Sequence, residues 1–334
     1  MDGKPLMPTT PKKARLLLKD GLAKPRRNKL GIFYIQMTRP VGETTQSMAL
    51  AEDPGAKYDG LAVASHKQVE LKAMLFLPEG VPDKMKTRQQ LRRARRYRNT
   101  PRRPARFNIR KKKGCWLAPT QKSKVESRLK AVKELCKICP IRLIIAEDVR
   151  YNHYRHRDGK YFSTAEIGKT YTYQEYRKLA ELKLVEVTDT DTWRKKYGLE
   201  KRTDKKWEQV PETHANDAVA MLMGVTGCRN TETHFYVWRR LQYARRSLHR
   251  QNFQKGGKRP RFGGTTNGGY FRKGDWVEAE KAGVVYRGWV CGLPTDSSKV
   301  LGIADADGER IGHFSPKKVS LLTRSTGFAW RRAS

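Results

Sequence analysis

The segment Met48–Ser65, MALAEDPGAKYDGLAVAS, constrains the fold more than any other part of the chain. Its pattern is typical of a short apolar strand that ends in an acid, a Pro-Gly turn and a second apolar strand. A carboxylate at the mouth of a hydrophobic strand is dry enough to hold a metal ion and open enough to meet a substrate. We therefore expect Asp53 to be the first ligand of a metal site.

Charge limits the partners of the chain. Its 334 residues include 71 Lys and Arg against 33 Asp and Glu, which gives a net charge of +38. Such an excess repels itself unless a polyanion binds, and nucleic acid gains affinity from the counterions that neutralised phosphates release. A membrane is the rival polyanion, but no apolar run approaches the roughly 18 residues of a spanning helix, and no signal-peptide core is visible. The composition favours nucleic acid over a membrane.

Cysteine usage indicates the compartment. The five cysteines are odd in number and scattered, which argues against a disulfide framework and for a reducing cytoplasm. Cys136 and Cys139 form the one CxxC pair. Zinc would need a second pair or suitably placed histidines, so the plainer interpretation is two cysteines on the buried face of a helix.

The order of elements from Met48 onward predicts an α/β fold. Apolar strands at 48–52, 60–65 and 69–77 precede a helix that begins near Val125. The apolar run 141–149 has the composition of a central strand and ends in Glu147-Asp148. We expect a further helix at 174–183, a strand at 184–190 and, after a polar loop, a last helix that carries His214 and Asp217. Three strands, helix, strand, helix, strand and helix is the order of an RNase H-like domain.

That order would gather the acids. In it the first and fourth strands lie side by side and parallel, so Asp53 and Glu147 leave the sheet at one edge, and the last helix brings His214 and Asp217 there. Three carboxylates and an imidazole suit Mg2+. Two such ions, about 4 Å apart, can activate water and stabilise the leaving oxygen of a phosphodiester. We therefore expect Asp53, Glu147, His214 and Asp217 to be both catalytic and metal-binding, with Mn2+ able to replace Mg2+.

Each acid also has a plainer interpretation. Asp53 before Pro54-Gly55 suits a turn, and Glu147 could pair with one of the many arginines. His214 and Asp217 could simply begin a helix, where negative charge is favourable. Singly these interpretations are the stronger ones, but together, in this order and in so basic a chain, the residues favour the metal site.

A long basic run interrupts the α/β pattern. From Lys84 to Val125 there is no acid, while 17 of the 42 residues are Lys or Arg. Charge runs are often only solvated faces, but this one has Tyr97, Phe107 and Trp116 interleaved, and arginine forks suit phosphate while aromatic rings stack on bases. We expect nucleic-acid contacts here and in the terminal modules, from Lys12, Lys13, Arg15, Arg88, Arg92, Arg93, Arg95, Arg96, Arg98, Arg102, Arg103, Arg106, Arg110, Arg239, Arg240, Arg245 and Arg246.

Smaller modules flank the α/β part. At the N-terminus, Thr10 as N-cap, Pro11 and a stop at Gly21 predict a helix, within a subdomain that either packs on the core or clamps nucleic acid. From Phe271 short strands predict a small SH3-like β-barrel. The expected domains are 1–46 (N-terminal module), 47–83 (first part of the nuclease domain), 84–121 (arginine-rich helix and linker), 122–228 (its remaining parts), 229–270 (basic RNA-contacting segment) and 271–334 (barrel).

Several motifs resemble those of known nucleases. DPGAKYDGLAV, IIAEDV and HANDAVA are similar to the three motifs of RuvC-type nucleases, and PLMPTTPKKARLLLKDG resembles the N-terminal PLMP segment of the IscB group of transposon-encoded RNA-guided proteins. The arginine run resembles their bridge helix. Unlike IscB, this chain has only 66 residues, 148–213, between the second and third motifs, with His153 and His156 as the histidines there, too few for an HNH nuclease. It therefore resembles the RuvC-only IsrB branch, and it lacks the two CxxC pairs of the TnpB group.

The resemblance implies an RNA-guided DNA nickase of the prokaryotic cytoplasm, associated with the nucleoid when bound to DNA. An omega RNA would pair with one strand of double-stranded DNA, with one protein chain per RNA. The barrel would read a target-adjacent motif, and the RuvC site would cut the displaced strand once. Two alternatives stay open: a guide-free, structure-selective nuclease such as a junction resolvase, and a non-catalytic RNA-binding protein.

Overall fold

A computed structural model describes residues 3–42, 44–96, 117–150, 166–200, 203–204, 208–209, 212–231, 235–241, 269–294, 299–324 and 327–333. The chain forms two compact units, 1–77 with 124–241 and 326–334, and 78–123 with 242–325. The described helices are α1 (Pro11–Lys19), α2 (Val81–Arg96), α3 (Pro119–Cys136), α4 (Lys169–Arg177), α5 (Val187–Lys196) and α6 (Glu212–Thr226).

The described strands number sixteen in chain order. They are β1 (Ala23–Arg27), β2 (Phe33–Met37), β3 (Met48–Pro54), β4 (Tyr58–Ala64), β5 (Val69–Phe76), β6 (Ile141–Glu147), β7 (Glu181–Val185), β8 (Thr203–Asp204), β9 (Glu208–Gln209), β10 (Phe235–Arg240), β11 (Trp276–Lys281), β12 (Val284–Gly292), β13 (Leu301–Ala304), β14 (Arg310–Phe314), β15 (Val319–Thr323) and β16 (Phe328–Ala333).

The N-terminal helix forms where its caps predict it. The Thr10 side chain accepts a hydrogen bond from the Lys13 amide at 3.4 Å, and Pro11 occupies the first turn. The chain leaves the helix at Gly21, whose positive φ of 68° suits a residue without a Cβ. No residue of α1 is buried. The basic stretch 24–27 belongs to β1, which pairs with β2 in an antiparallel hairpin.

Within the described residues, seven strands form one mixed sheet in the order β16-β10-β5-β4-β3-β6-β7. Strands β3, β4 and β5 form an antiparallel meander, and β6 joins β3 in parallel, followed by β7. The predicted α/β, RNase H-like order is confirmed, because the first and fourth strands of this domain, β3 and β6, are parallel neighbours.

Helices cover both faces of this sheet. On one face Leu50, Leu61 and Val63 pack against Leu129 and Tyr176, which belong to α3 and α4. On the other face α6 packs against the small side chains that β3 and β4 present, which are Ala49, Ala51, Ala62 and Ala64. Cys136 and Cys139 lie partly buried against the first core. Burial raises the pKa of the Cys136 thiol to about 11. The sequence predicts both cysteines on one buried helix face, but α3 ends at Cys136, so Cys139 lies beyond the helix.

The region after Glu147 differs from the sequence-based expectation. The helix expected at 174–183 is α4, which begins at Lys169, and the strand expected at 184–190 is β7, which ends at Val185. The next ten residues form α5 instead of a strand end and a polar loop. The residues that α5 buries, Thr190 and Arg194, are polar, so no apolar period marks this helix in the sequence.

The second unit contains α2 and a five-stranded antiparallel sheet in the order β14-β13-β12-β11-β15. Its all-β character is as predicted, and its classification as an SH3-like barrel stays a prediction. The last strand does not follow the expected boundary of 271–334, because β16 pairs antiparallel with β10 in the large sheet of the first unit. The β16 side chains Phe328 and Trp330 pack against the hydrophobic core of the first unit. Among the residues in view, no helix is both long and apolar enough to cross a bilayer.

Candidate active site

Two neighbouring parallel strands end in acids at the same edge of the sheet. In the register of β3 and β6, Glu52 lies opposite Ala146, so Asp53 and Glu147 follow at the same level. Both are buried, with relative exposures of 4% and 7%. The carboxyl ends of parallel strands are where α/β sheets place ligand sites.

Helix α6 brings two further side chains to this edge. It packs on β3, β4 and β5, with His214 and Asp217 in its first two turns. Its close approach depends on Gly60 of β4, because a Cβ there would overlap the carbonyl oxygen of His214. A Cβ on Gly55 would crowd the His214 ring and overlap the Tyr58 carbonyl oxygen.

Asp53 and His214 are in direct contact. Nδ1 of His214 pairs with Oδ2 of Asp53, and their side chains are 15% and 6% exposed. Burial by itself lowers the pKa of His214, whereas the charge of Asp53 and the bond to it raise that pKa. The net effect leaves the pKa of His214 above its usual value. The contact with Asp53 therefore favours the protonated form of the imidazole.

Glu147 completes a crowded group of acids. Burial raises its pKa to about 8, and the negative charge of Asp53 adds to this shift. Asp217 contributes a further raising effect, whereas a hydrogen bond from Thr190 of α5 works against it. Close carboxylates of this kind hold a proton at neutral pH unless a cation relieves them.

Asp217 is bound by an arginine that the sequence did not single out. Nη1 of Arg194, on α5, lies 2.8 Å from Oδ1 of Asp217, and the same guanidinium pairs with Asp191. The Arg194 side chain is 10% exposed. A cation thus already neutralises one of the proposed metal ligands.

The donor set fits Mg2+ in its chemistry. Asp53, Glu147 and Asp217 offer hard oxygen ligands and His214 offers one nitrogen. Over the described ranges, no group of three or more His, Cys, Asp or Glu side chains forms a ready metal site. In this structure His214 pairs with Asp53, and Arg194 pairs with Asp217. Metal binding at this edge would therefore require these two pairs to open.

Glu52, which adjoins Asp53, belongs to the other face of the sheet. Its carboxylate contacts Arg128 of α3 and Tyr176 of α4, whereas Asp53 faces α6. Burial raises the pKa of Glu52 to about 7, although the charge of Arg128 lowers it. Glu52 is thus kept apart from the His214 side of the sheet.

Asp148, the other acid at the end of β6, is engaged by cations. It accepts hydrogen bonds from Arg150 at 2.7 Å, Lys169 at 3.1 Å and Tyr173 at 3.2 Å. Beside it is a small, partly open cleft whose lining includes Glu147, Lys169 and Tyr173. The cleft reaches the edge of the candidate site from the side of α4.

The expected nucleic-acid contacts are only partly in view. Lys12, Lys13 and Arg15 are exposed on α1, and Arg88 and Arg93 are exposed on α2. The backbone of α2 also carries Arg92, Arg95 and Arg96. On β10, Arg239 stacks over Phe76 at 5.0 Å and Arg240 donates to the Ser127 hydroxyl at 2.7 Å. Outside the described residues lie Tyr97, Arg98, Arg102, Arg103, Arg106, Phe107, Arg110, Trp116, His153, His156, Arg245 and Arg246.

Sequence reasoning missed Arg128, Thr190 and Arg194. Arg128 did carry a signal, because it falls between Val125 and Val132 on the apolar face of α3, where a charge requires a buried partner. Thr190 and Arg194 lie on α5, whose polar composition concealed the helix itself.

The strand order and the acids at this edge define a class of protein. A mixed sheet in this order, with acids at the ends of adjacent parallel strands, is the RuvC-like arrangement of RNase H-like nuclease folds. The chain belongs to the family of RRXRR proteins, whose family profile matches residues 1–169. The matched region includes RRARR at 92–96.

Two solved structures similar to the chain are of RuvC from Thermus thermophilus. RuvC in complex with a Holliday junction substrate is 13% identical over 54% of this chain and 92% of that chain, with a TM-score of 0.27. A second RuvC structure is 10% identical over 53% and 92%, with a TM-score of 0.29. No curated protein matches the chain in sequence. The class rests on the strand order, because these scores are low.

Proposed function

We propose that the chain is an omega-RNA-guided DNA endonuclease of the IsrB kind, which nicks one strand of double-stranded DNA with Mg2+. The observation that carries this proposal is the meeting of Asp53, Glu147, His214 and Asp217 at one edge of an RNase H-like sheet. A single such site accounts for one cut and therefore for a nick.

The four side chains have distinct tasks in this proposal. Asp53 contacts His214, and its charge acts on Glu147, so Asp53, Glu147 and Asp217 are the carboxylates that would hold the metal ions. Bound Mg2+ would supply an activated water and charge stabilisation for the leaving oxygen. His214, which lies on α6 beside Asp53, would supply a ring nitrogen as a further ligand. The buried setting excludes bulk water, which strengthens these electrostatic interactions.

Recognition of RNA is proposed on charge and family. The net charge of +38 demands a large polyanion, and the RRARR run lies at the end of the exposed helix α2. We assign residues 84–121 to the bridge that contacts the RNA, and residues 1–46 and 229–270 to further contacts with nucleic acid. The region 271–334, without strand β16, would read the target-adjacent motif. The nuclease parts are 47–83 and 122–228.

The substitution Asp53→Ala tests catalysis. We expect the purified protein–RNA complex to bind target DNA as before but to lose Mg2+-dependent nicking by at least about 100-fold, because one of the carboxylates that would hold the metal is removed. Asp20→Ala, which removes an exposed acid at the end of α1, is the matched control and should nick normally. Unchanged nicking by Asp53→Ala would leave the non-catalytic RNA-binding alternative standing.

Replacement of Arg92, Arg93, Arg95 and Arg96 with Gln tests the bridge. We expect weaker binding of the RNA and a shallower dependence of affinity on salt, by roughly 0.7 to 0.9 in slope for each phosphate that the variant no longer neutralises. Replacement of the exposed Lys178, Lys183, Lys195 and Lys196 with Gln removes the same charge from a part of the chain to which no nucleic-acid contact is assigned. Equal effects on RNA affinity in both variants would mean that the four arginines act only through their charge and not through specific contacts with the RNA.

Purification of the protein after expression from its native locus distinguishes the RNA-guided from the guide-free alternative. We expect a structured RNA to copurify and to be required for nicking. RNA-free protein that cuts four-way junctions would support the resolvase alternative, and a double-strand break by the complex would contradict a single nuclease centre.

A further inference from the structure

A buried arginine joins the two strands that flank the Asp53 turn. Nε and Nη2 of Arg128 donate to the two carboxylate oxygens of Asp59, at 2.9 Å and 2.7 Å, and Nε lies 2.5 Å from Oε1 of Glu52. Glu52 belongs to β3 and Asp59 to β4. One guanidinium thus holds both strands from the side of α3.

Two further hydrogen bonds extend this network. The Tyr176 hydroxyl, from α4, donates to Oε2 of Glu52. The amide of Gly55 donates to Oδ1 of Asp59 at 3.0 Å, which ties the turn after Asp53 to the same carboxylate that Arg128 binds. Arg128, Glu52, Asp59 and Tyr176 are all within 5% of complete burial.

Hydrophobic packing alone would suffice to dock α3. Val125, Leu129 and Val132 already bury that helix against the sheet, and apolar side chains of similar volume often replace a buried ion cluster without loss of stability. The network also contains two carboxylates for one guanidinium, an unfavourable balance for an interior. Its geometry therefore calls for a role other than docking.

The network controls the direction of Asp53 through strand alternation. Successive side chains of a strand point to opposite faces, so fixing Glu52 toward Arg128 directs its neighbour Asp53 toward α6. The Gly55–Asp59 bond fixes the chain on the other side of Asp53. Asp53 is thus held between two anchored points, one residue before it and two residues after it.

We propose that Arg128 is a positioning residue for the metal site, which sets Asp53 by holding Glu52 and Asp59 from the opposite face of the sheet. The proposal rests on the proposed function, since it gives Asp53 the role of metal ligand. It adds a residue outside the three nuclease motifs that acts through the sheet without touching metal or DNA.

The substitution Arg128→Lys is the first test, because it keeps the charge but loses the planar fork. In the full chain with its RNA, we expect kcat for nicking to fall about 100-fold, as a displacement of roughly 1 Å can do, with an unchanged KM for DNA. In the RNA-free full chain, we expect weaker binding of Mn2+ and roughly fivefold faster hydrogen exchange at the Gly55 amide.

Lys133→Met is the matched control. Lys133 lies on the same helix and makes a 2.9 Å ion pair with Glu175 of α4, away from β3 and β4. We expect its kcat, Mn2+ affinity and Gly55 exchange to equal those of the wild type. A decline equal to that of Arg128→Lys would show that any loosening of α3 matters, and would overturn a specific positioning role.

A charge-balanced variant guards against misfolding. In the triple variant Arg128→Met, Glu52→Gln, Asp59→Asn no buried charge is left unpaired, so we expect normal thermal stability. We still expect low kcat, weak Mn2+ binding and fast Gly55 exchange, because the hold on the turn is gone. Wild-type kcat in the triple variant, or wild-type kcat and Mn2+ affinity in Arg128→Lys, would overturn the proposal.

These outcomes differ from a failure of the proposed function. If the wild-type complex does not nick DNA, or Asp53→Ala nicks as well as wild type, the proposed function fails. Mn2+ affinity and Gly55 exchange would still report whether Arg128 sets the geometry of Asp53.

Discussion

At the scale of single residues, the candidate site contains an acid whose pKa is strongly raised. Glu147 has its pKa raised from 4.5 to about 8, chiefly by burial. A raised carboxyl pKa adds stability that is complete below the unfolded value and is lost as pH rises through the folded value. Metal-free protein should therefore lose stability between about pH 4.5 and pH 8.

Glu147→Gln tests this directly. We expect the thermal midpoint of the wild type in EDTA to fall as pH rises through that window, and the fall to be smaller in the variant, which cannot ionise there. Glu52, whose pKa is raised to about 7, supplies the remaining slope, so Glu52→Gln serves as comparison. Identical pH profiles for wild type and Glu147→Gln would refute the assigned protonation.

In the proposed metal site, Arg194 would compete with the metal ion for Asp217, with which it forms an ion pair. We expect Arg194→Gln to bind Mn2+ roughly tenfold more tightly in calorimetric titrations, because a charge-assisted bond of about 1.5 kcal/mol no longer has to open. Lys195→Gln removes the same charge from α5 but its partner is Asp191, so it should change affinity little. Weaker metal binding by Arg194→Gln would instead mean that the arginine holds Asp217 in its binding position.

At the scale of elements, the site depends on how closely α6 approaches β4. We expect Gly60→Ala to cost roughly 1–3 kcal/mol of unfolding free energy, because its Cβ would overlap the His214 carbonyl oxygen. Nicking should fall with it, as His214 is displaced. Gly42→Ala, where a Cβ meets no atom within 4 Å, is the control in denaturant titrations, and equal stability of both variants would contradict the close contact.

The sequence specifies some elements well and others poorly. Strand β3 and the start of α6 follow from local signals, the apolar run before Asp53 and the packing face of Ala218, Met221 and Leu222. Helix α5 does not follow from local signals, because its inward residues Thr190 and Arg194 are polar. Their burial is explained only by their partners Glu147 and Asp217. Arg128 likewise requires knowledge that Glu52 and Asp59 lie opposite it.

At the scale of the whole molecule, β16 is part of the nuclease sheet. Phe328 is fully buried in the core with Trp238. We expect Phe328→Ala to cost about 3–5 kcal/mol in denaturant unfolding of the first unit. Leu322→Ala on β15, at a side chain 41% exposed, should cost far less. A stability change confined to the second unit would contradict the pairing of β16 with β10.

This pairing could not be predicted from the sequence. FAWRRA suits a strand of either sheet, since its alternation says which side chains are buried but not against what. Its partner β10 lies more than 80 residues earlier, a long-range pairing that local patterns do not encode.

The return of β16 makes residues 242–326 an insertion with adjoining ends, and 242–325 form the second unit together with 78–123. The amide of Leu241, just after β10, donates to the carbonyl of Gly327, just before β16, at 3.1 Å. Residues 242–326 therefore leave and re-enter the nuclease sheet at a single point. Replacement of residues 242–326 by a segment with neighbouring termini would leave the pairing of β10 with β16 in place, whereas residues 78–123 would lose the strands that belong to the same unit.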